Sequence, residues 1–214
     1  MKKWVCAGAA LLAAATLGLS GCGEKETSAP TEREEQRDVP QIGLSFDSFV
    51  IERWIRDRDV FVSTIKELGG EVNVQNANGD VEEQISQIEY FIEKGVDVIV
   101  VVAGDSEALT DVMRRAKDAG IRTLTYDRLI KNSGADLHIS FDNEKVGELM
   151  AESLAENLPD GGEIFLIQGP KSDNNVALVR EGIDRVLEGT ELEVVFEANC
   201  EDWPAENAYT YVKE

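Results

Sequence analysis

Apolar residues along this chain follow two alternating spacings. Short apolar runs rich in β-branched residues predict five strands, at residues 42–46, 72–74, 96–102, 121–126 and 137–141. Between them, apolar residues recur at helical spacing and predict three helices, at residues 51–68, 81–92 and 108–116. Glycines follow all three helical segments, as at many helix ends. Strands that alternate with helices of this length predict an α/β fold with a doubly wound parallel sheet.

The same alternation starts again after residue 141. It predicts strands at residues 163–168 and 192–197, and helices at residues 143–158, at 174–187 and from about Pro204, a good first helical residue. We therefore predict an N-terminal α/β lobe over residues 41–141 and a partial C-terminal α/β lobe over residues 142–214. Because so few strands leave an open edge and an unfilled core, we expect the second lobe to be incomplete.

The first 40 residues have a different character. Lys2 and Lys3 precede an apolar stretch that ends in Leu19-Ser20-Gly21-Cys22, the small residues and cysteine of a lipoprotein signal. We predict a signal peptide over residues 1–21, acylation of Cys22, and a flexible polar tether over residues 22–40. An ordinary transmembrane anchor is the alternative, since the apolar stretch is nearly long enough to span a bilayer. Either interpretation places the folded part outside the cytoplasmic membrane; the first anchors it by lipid.

Acidic residues dominate the charge of the chain. The formal charge of the 214 residues is −21. The signal peptide holds two lysines and no acid, so 19 basic and 42 acidic residues remain after cleavage, a charge of −23. Such a surface repels nucleic acid and anionic lipid headgroups, and makes an anionic ligand less favourable. Adaptation of the surface to salt is an alternative cause of the acidic excess.

Motifs for catalysis, nucleotide binding and metal binding are absent from the sequence. There is no GxGxxG, GxxxxGK[ST] or GxSxG, and carboxylates do not cluster at metal-ligand spacing. His138 is the sole histidine and lies in a predicted strand. Cys6 leaves with the signal and Cys22 carries the lipid, so Cys200 has no disulfide partner. We expect no enzyme activity, no cofactor and no metal.

Polar and aromatic side chains follow predicted strands at four places. They are Glu52-Arg53-Trp54, Tyr126-Asp127-Arg128, Asp173-Asn174-Asn175 and Asp202-Trp203. Ligands of open α/β sheets bind at the carboxyl ends of the strands, where these groups fall. Charged and amide groups suit the hydroxyls of a sugar, and an indole suits the C–H face of its ring. The sequence therefore predicts a sugar-binding site.

These residues also have purely structural interpretations. Arg53 can pair with Asp57 one helical turn away, and Trp54 fits the apolar stripe of its helix. Asp173 can cap the helix that follows it, which would still leave the amides of the next two residues free. Asp127 and Arg128 are harder to explain without a ligand, because both charges directly follow an apolar strand.

Six stretches resemble the type I periplasmic sugar-binding proteins of ABC importers, and in particular their xylose-binding branch. They are IERWIRDRDVF (51–61), QNANGDVEEQISQIEYFIEKGVDVIVV (75–101), YDR (126–128), ISFDNEKVGEL (139–149), SDNNVAL (172–178) and WPAENA (203–208). The resemblance implies two lobes that close on one monosaccharide, most simply a pentose, and a permease as partner of a monomeric protein. It also implies seven ligand-binding residues: Arg53, Asp127, Arg128, Asp173 and Asn175 for hydrogen bonds, and Trp54 and Trp203 beside the ring.

Other functions are compatible with the same fold. A sugar or signal sensor would present its ligand to a chemoreceptor or a histidine kinase instead of a permease. A truncated chain would bind nothing, since the later contacts of the family's second lobe have no counterpart here. A cytoplasmic sugar-responsive repressor shares the fold, but the signal peptide and the lack of a DNA-binding head argue against it.

Overall fold

The computed structural model of the chain describes residues 39–213, which lie within one compact unit. The predicted signal peptide, Cys22 and most of the tether lie outside the described residues. The strands are β1 (Gln41–Phe46), β2 (Glu71–Asn76), β3 (Val98–Val102), β4 (Arg122–Tyr126), β5 (Leu137–Ile139), β6 (Gly162–Gln168) and β7 (Leu192–Asn199). The helices are α1 (Glu52–Glu67), α2 (Val81–Lys94), α3 (Thr110–Asp118), α4 (Asn143–Asn157), α5 (Asn174–Leu187) and α6 (Ala205–Lys213). Within residues 39–213, no helix is both long and apolar enough to cross a membrane.

The first five strands form one parallel sheet in the order β2-β1-β3-β4-β5. Helices cover both faces of this sheet. Trp54 of α1 packs against Leu44 and Val100 on one face, while Phe91 of α2 and Met113 of α3 pack on the other. The central strand β3 is accordingly buried on both faces, which explains its continuous apolar sequence. The predicted doubly wound α/β fold is confirmed.

A polar cap and a glycine delimit α2. The side chain of Asp80 accepts hydrogen bonds from the backbone N–H groups of Glu82 (2.9 Å) and Glu83 (3.1 Å), which caps α2. Gly95 ends the same helix in the left-handed conformation, at a φ of 60°. These two residues fix the length of α2 and therefore the point at which β3 enters the sheet.

A second parallel sheet consists of β6 and β7. Helices α4 and α5 pack against it around Ala151, Ile164 and Ile183. Among residues 39–213, β6 pairs with β7 alone, and Phe165 on β6 remains 60% exposed. The boundary between two lobes at residues 141 and 142 stays a prediction.

Most elements begin or end one or two residues away from the sequence prediction, and β3, β5 and α6 are examples. β3 starts at Val98 instead of residue 96, because the N–H of Asp97 donates to the carbonyl of Gln41 in the turn before the strand (2.9 Å). β5 ends at Ile139, because the hydroxyl of Ser140 turns back to the carbonyl of Asp127 (2.6 Å). α6 begins at Ala205, one residue after the predicted start at Pro204.

Candidate functional site

A cavity of about 580 Å³ lies at the carboxyl ends of β4 and β6. Its size is typical of a small-molecule site. All seven side chains that the sequence predicts for ligand binding line it: Arg53, Trp54, Asp127, Arg128, Asp173, Asn175 and Trp203. Residues that are up to 150 positions apart in the sequence thus meet around one space. Their roles in ligand binding stay predictions.

Asp127 is held in an unusual backbone conformation. It follows β4 at a φ of 64°, in the left-handed region that residues other than glycine adopt rarely, although aspartate tolerates it better than most. Its N–H donates to the carbonyl of Ile139 (2.7 Å), and its carbonyl accepts from the hydroxyl of Ser140 (2.6 Å). The neighbouring strand β5 therefore fixes this residue. Such strained positions are common at ligand sites.

Arg53 on the first turn of α1 contacts two carboxylates. Its Nη2 donates to Asp127, and its Nε lies 3.5 Å from Oδ2 of Asp57. The predicted helical pair with Asp57 therefore exists beside a contact in the cavity. Asp57 also accepts a hydrogen bond from the hydroxyl of Tyr126 (3.0 Å). Burial, followed by this bond to Asp57, raises the pKa of Tyr126. The side chain of Arg53 stays 42% exposed, so a ligand can still reach it.

Arg128 is buried and has acceptors on three loops. Its Nη1 donates to Oδ2 of Asp47 (2.8 Å) and to the carbonyl of Ala103 (3.1 Å). Its Nε lies 2.9 Å from Oδ2 of Asp173. Sequence reasoning missed Asp47. The signal was present, since Asp47 directly follows β1 just as Asp127 directly follows β4.

Asp173 and Asn175 join the second sheet to the first. Asp173 caps α5 by accepting from the N–H of Asn175 (2.9 Å), as its position suggests. The expectation that both following amides are free is wrong for Asn175. Its Nδ2 donates to Oδ1 (3.0 Å) and to the carbonyl (3.2 Å) of Asp127. Burial raises the pKa of Asp173, and the charge of Arg128 opposes this rise.

The two indoles form walls of the cavity around Arg128. Trp54 is 2% exposed and belongs to the core, yet it also lines the cavity, so its two interpretations are compatible. Trp203 is half-buried and lies directly against Gly169, where a Cβ would come within 2.6 Å of the indole. The guanidinium carbon of Arg128 is 5.7 Å from the centre of the Trp54 ring and 5.4 Å from that of Trp203. Within residues 39–213, neither indole N–H has a hydrogen-bond partner.

An apolar wall completes the cavity, and sequence reasoning missed it. It includes Phe141, Met150, Phe165 and Val179 from α4, α5, β6 and the segment before α4. Its residues have the same helical or strand spacing as ordinary core residues. No signal in the sequence separates them from the core, because their exposure depends on which elements pack over them.

The charges around the cavity favour a neutral polar ligand. Four carboxylates, of Asp47, Asp57, Asp127 and Asp173, pair with only two guanidinium groups. Within the described residues, no group of histidine, cysteine and carboxylate side chains has the arrangement of a metal site. His138 contacts Thr125 through Nδ1 (2.8 Å) and does not line the cavity. The site can therefore donate and accept hydrogen bonds but lacks excess positive charge for an anion.

This fold is that of the periplasmic binding proteins of type I. The chain belongs to the periplasmic binding protein family, whose domain matches residues 42–214. It is 45% identical over 172 residues to the D-xylose-binding periplasmic protein of Haemophilus influenzae, and 44% identical to that of Escherichia coli. Each alignment covers 78% of this chain and 52% of the relative. The chain thus spans about half the length of these relatives.

Solved structures show the same fold. A solute-binding protein of an ABC transporter from Mycobacterium smegmatis, with bound glycerol, has a TM-score of 0.77 and 28% identity. It is matched over 82% of this chain and 61% of its own length. A solute-binding protein from Burkholderia graminis in complex with D-arabinose has a TM-score of 0.73 and 26% identity, over 83% of this chain and 61% of its own. These relatives are binding proteins, which agrees with the expectation that the chain catalyses no reaction.

Proposed function

We propose that the chain binds a neutral monosaccharide, with D-xylose as the first candidate, and delivers it to an ABC permease without altering it. The observation that carries this proposal is the convergence of all seven predicted side chains on one cavity. Two indoles offer flat surfaces for the C–H face of a sugar ring, and the charged and amide groups suit its hydroxyls. The family relationship and the D-xylose-binding relatives support the same ligand class.

The charges of the site support a neutral sugar over a phosphorylated or carboxylated one. Both guanidinium groups already pair with two carboxylates each. An anionic ligand would have to displace these carboxylates or approach them, and either costs free energy in a partly buried site. The acidic surface acts in the same direction at longer range.

Contacts between the two sheets suggest how binding changes the conformation. The pair of Arg128 with Asp173 and the bond of Asn175 to Asp127 cross from the segments after β4 to the N-terminus of α5. A sugar that adds hydrogen bonds to groups on both sides stabilises the arrangement in which they are close. Binding then shifts the population toward the closed state, which is the form we propose for docking on the permease. Anchoring through acylated Cys22 would keep the protein at the outer side of the membrane.

Isothermal titration calorimetry and thermal unfolding test the ligand class. D-xylose, D-arabinose and D-glucose are compared with D-glucuronate as the anionic sugar. We expect a neutral sugar to bind and to stabilise the protein by about 2.7 kcal/mol at 100 times its Kd. Glucuronate should bind far more weakly.

Two arginine variants separate the site from the surface. Arg128→Met should abolish binding, since it removes a guanidinium that lines the cavity. Arg56→Met makes the same change in charge at an exposed position of α1 and should leave affinity unchanged. A protein that unfolds cooperatively but shows no titration heat and no thermal shift with any of these sugars would contradict the proposal.

A further inference from the structure

The guanidinium of Arg128 lines the cavity, and one of its three nitrogens has no polar contact with residues 39–213. Its contacts within residues 39–213 run through Nε and Nη1, toward Asp173, Asp47 and the carbonyl of Ala103. Nη2 is therefore the nitrogen left for a ligand. Because a guanidinium is planar and rigid, the hydrogen bonds of Nη1 and the ion pair at Nε together determine where Nη2 points. The side chain is only 4% exposed, so it cannot reorient freely into solvent.

Asp47 occupies a position built to hold its carboxylate. Its N–H donates to the carbonyl of Val102 (3.0 Å), and its carbonyl accepts from the N–H of Gly79 (2.9 Å). Its Oδ1 faces Gly104, where even a Cβ would lie only 2.8 Å away. A side chain at residue 104 would therefore displace the carboxylate.

A buried amide fixes the loop that contains Gly104. Nε2 of Gln84 donates to the carbonyl of Val102 (2.9 Å), and its Oε1 accepts from the N–H of Gly104 (2.8 Å). Gln84 is completely buried. The ends of β1 and β3, and with them Asp47, are thus held in place by a fully satisfied polar contact beneath the site.

We propose that Asp47 is a positioning residue for the binding site. It does not line the cavity, but its carboxylate orients Arg128 so that Nη2 faces the ligand. Without Asp47, Nη1 would keep only the longer bond to the carbonyl of Ala103 (3.1 Å) and would lose its charged acceptor. The inference rests on the proposed function for the identity of the ligand as a sugar. The orientation of Arg128 can be measured without any sugar.

Binding of D-xylose to Asp47→Asn tests the effect on the ligand. The variant keeps the size of the side chain and loses its charge, and we expect affinity to fall on the order of tenfold, as for the loss of one hydrogen bond to a charged group. Asp59→Asn, at an exposed position of α1, changes the net charge equally and should bind as the unaltered protein does. Equal affinity in Asp47→Asn and Asp59→Asn would overturn the proposal.

A double-mutant cycle with Arg128→Lys separates positioning from general damage. A lysine lacks the planar fork, so its orientation cannot depend on Asp47 in the same way. We expect Asp47→Asn to cost affinity in the unaltered protein and little in the Arg128→Lys background. The same loss in both backgrounds would mean that the effect does not pass through Arg128, and would refute the inference.

Gly104→Ala offers a second route that keeps every charge. The added methyl group would meet the carboxylate of Asp47 and displace it from Arg128. The methyl group would also lie 3.2 Å from Oε1 of Gln84, so thermal unfolding is measured beside binding. We expect D-xylose binding to weaken. Should Asp47→Asn fail to fold, this variant decides the question alone, and unchanged affinity would then count against the proposal.

Side-chain NMR of ¹⁵N-labelled arginine, recorded without sugar, provides the independent measurement. The Nη1 hydrogens of Arg128, which bond to Asp47, should exchange slowly with water in the unaltered protein and faster in Asp47→Asn. If the unaltered protein does not bind D-xylose, the proposed function fails, and this exchange rate alone tests the positioning of Arg128. An exchange rate that does not change would overturn the positioning role even where sugar binding is intact.

Discussion

At the scale of single residues, the site depends on charges that are removed from water and paired. Arg128 and Asp173 are both buried, and each has further hydrogen bonds that satisfy it. A buried pair of this kind contributes little net stability, because desolvation offsets the attraction, but the loss of one partner is costly. The pair therefore serves the arrangement of the site more than the stability of the fold.

Asp173→Asn should change how the free energy of unfolding depends on pH, because it removes a buried group that titrates. Burial raises the pKa of Asp173 in the folded protein, so the folded state holds this proton more tightly than the unfolded state does. The carboxyl group thus favours folding most at low pH, and this contribution is lost as the pH rises through the folded pKa. The free energy of unfolding of the unaltered protein minus that of Asp173→Asn should fall as the pH rises from about 4.

Urea unfolding at a series of pH values measures this difference. Ser172→Ala changes the adjacent residue without a titrating group, so its difference from the unaltered protein should not vary with pH. A difference for Asp173→Asn that grows with pH would show that pairing with Arg128 outweighs burial.

The charged residues of the site could be identified in the sequence because of their position directly after predicted strands. Parallel strands bring their carboxyl ends to one edge, so a charge directly after a strand could be assigned to the site. Asp47 satisfied the same rule but was passed over, because its role becomes visible only through its contact with Arg128. The apolar wall around Met150 and Phe165 could not be predicted, since its exposure depends on packing between distant elements.

At the scale of elements, the approach of α4 to α5 positions the second half of the site. Gly147 and Gly182 lie where the two helices touch, and a Cβ on Gly182 would come 1.9 Å from the carbonyl of Glu144. Backbone therefore packs on backbone at this crossing. Because Asp173 and Asn175 lie at the N-terminus of α5, any displacement of that helix also moves them.

Gly182→Ala should destabilise the protein although alanine favours helices by about 1 kcal/mol relative to glycine. The added methyl group would force α4 and α5 apart, and we expect a net loss of about 1–3 kcal/mol or more in urea unfolding. Gly189→Ala is the matched control, since its Cβ would meet its nearest neighbour at 3.7 Å. Gly182→Ala with the stability of the control would contradict the close packing.

The strands and helices could be predicted from the local sequence, but the residues at which they begin and end could not. Alternating apolar runs and helical spacing predicted every strand and helix. The actual ends of β3 and β5 are set by hydrogen bonds from Asp97 to Gln41 and from Ser140 to Asp127, between residues distant in the sequence. Such bonds depend on the assembled sheet, so the spacing of apolar residues contains no information about them.

At the scale of the whole molecule, acidic residues lie close to one another even within the sheets. Glu163 and Glu193 are neighbours in the register of β6 and β7, and both are exposed. Like charges at neighbouring positions repel and weaken the pairing of strands. With 42 acidic and 21 basic residues in the chain, at most half of the acidic residues can pair one to one with a cation. The folded state therefore carries a self-repulsion that the unfolded chain relieves by expansion.

Salt should consequently stabilise this protein. Raising NaCl from 10 mM to 0.5 M shortens the screening length to well below 10 Å, so repulsion between exposed carboxylates weakens. We expect a gain of about 1 kcal/mol, or roughly 2–4 °C in Tm for a domain of this size. KCl should act like NaCl, because screening depends on ionic strength and not on the cation.

Glu193→Gln should raise Tm at 10 mM salt and much less at 0.5 M, since it removes the carboxylate that faces Glu163. A Tm that falls with salt would show instead that ion pairs such as those of Arg53 and Arg128 outweigh the repulsion.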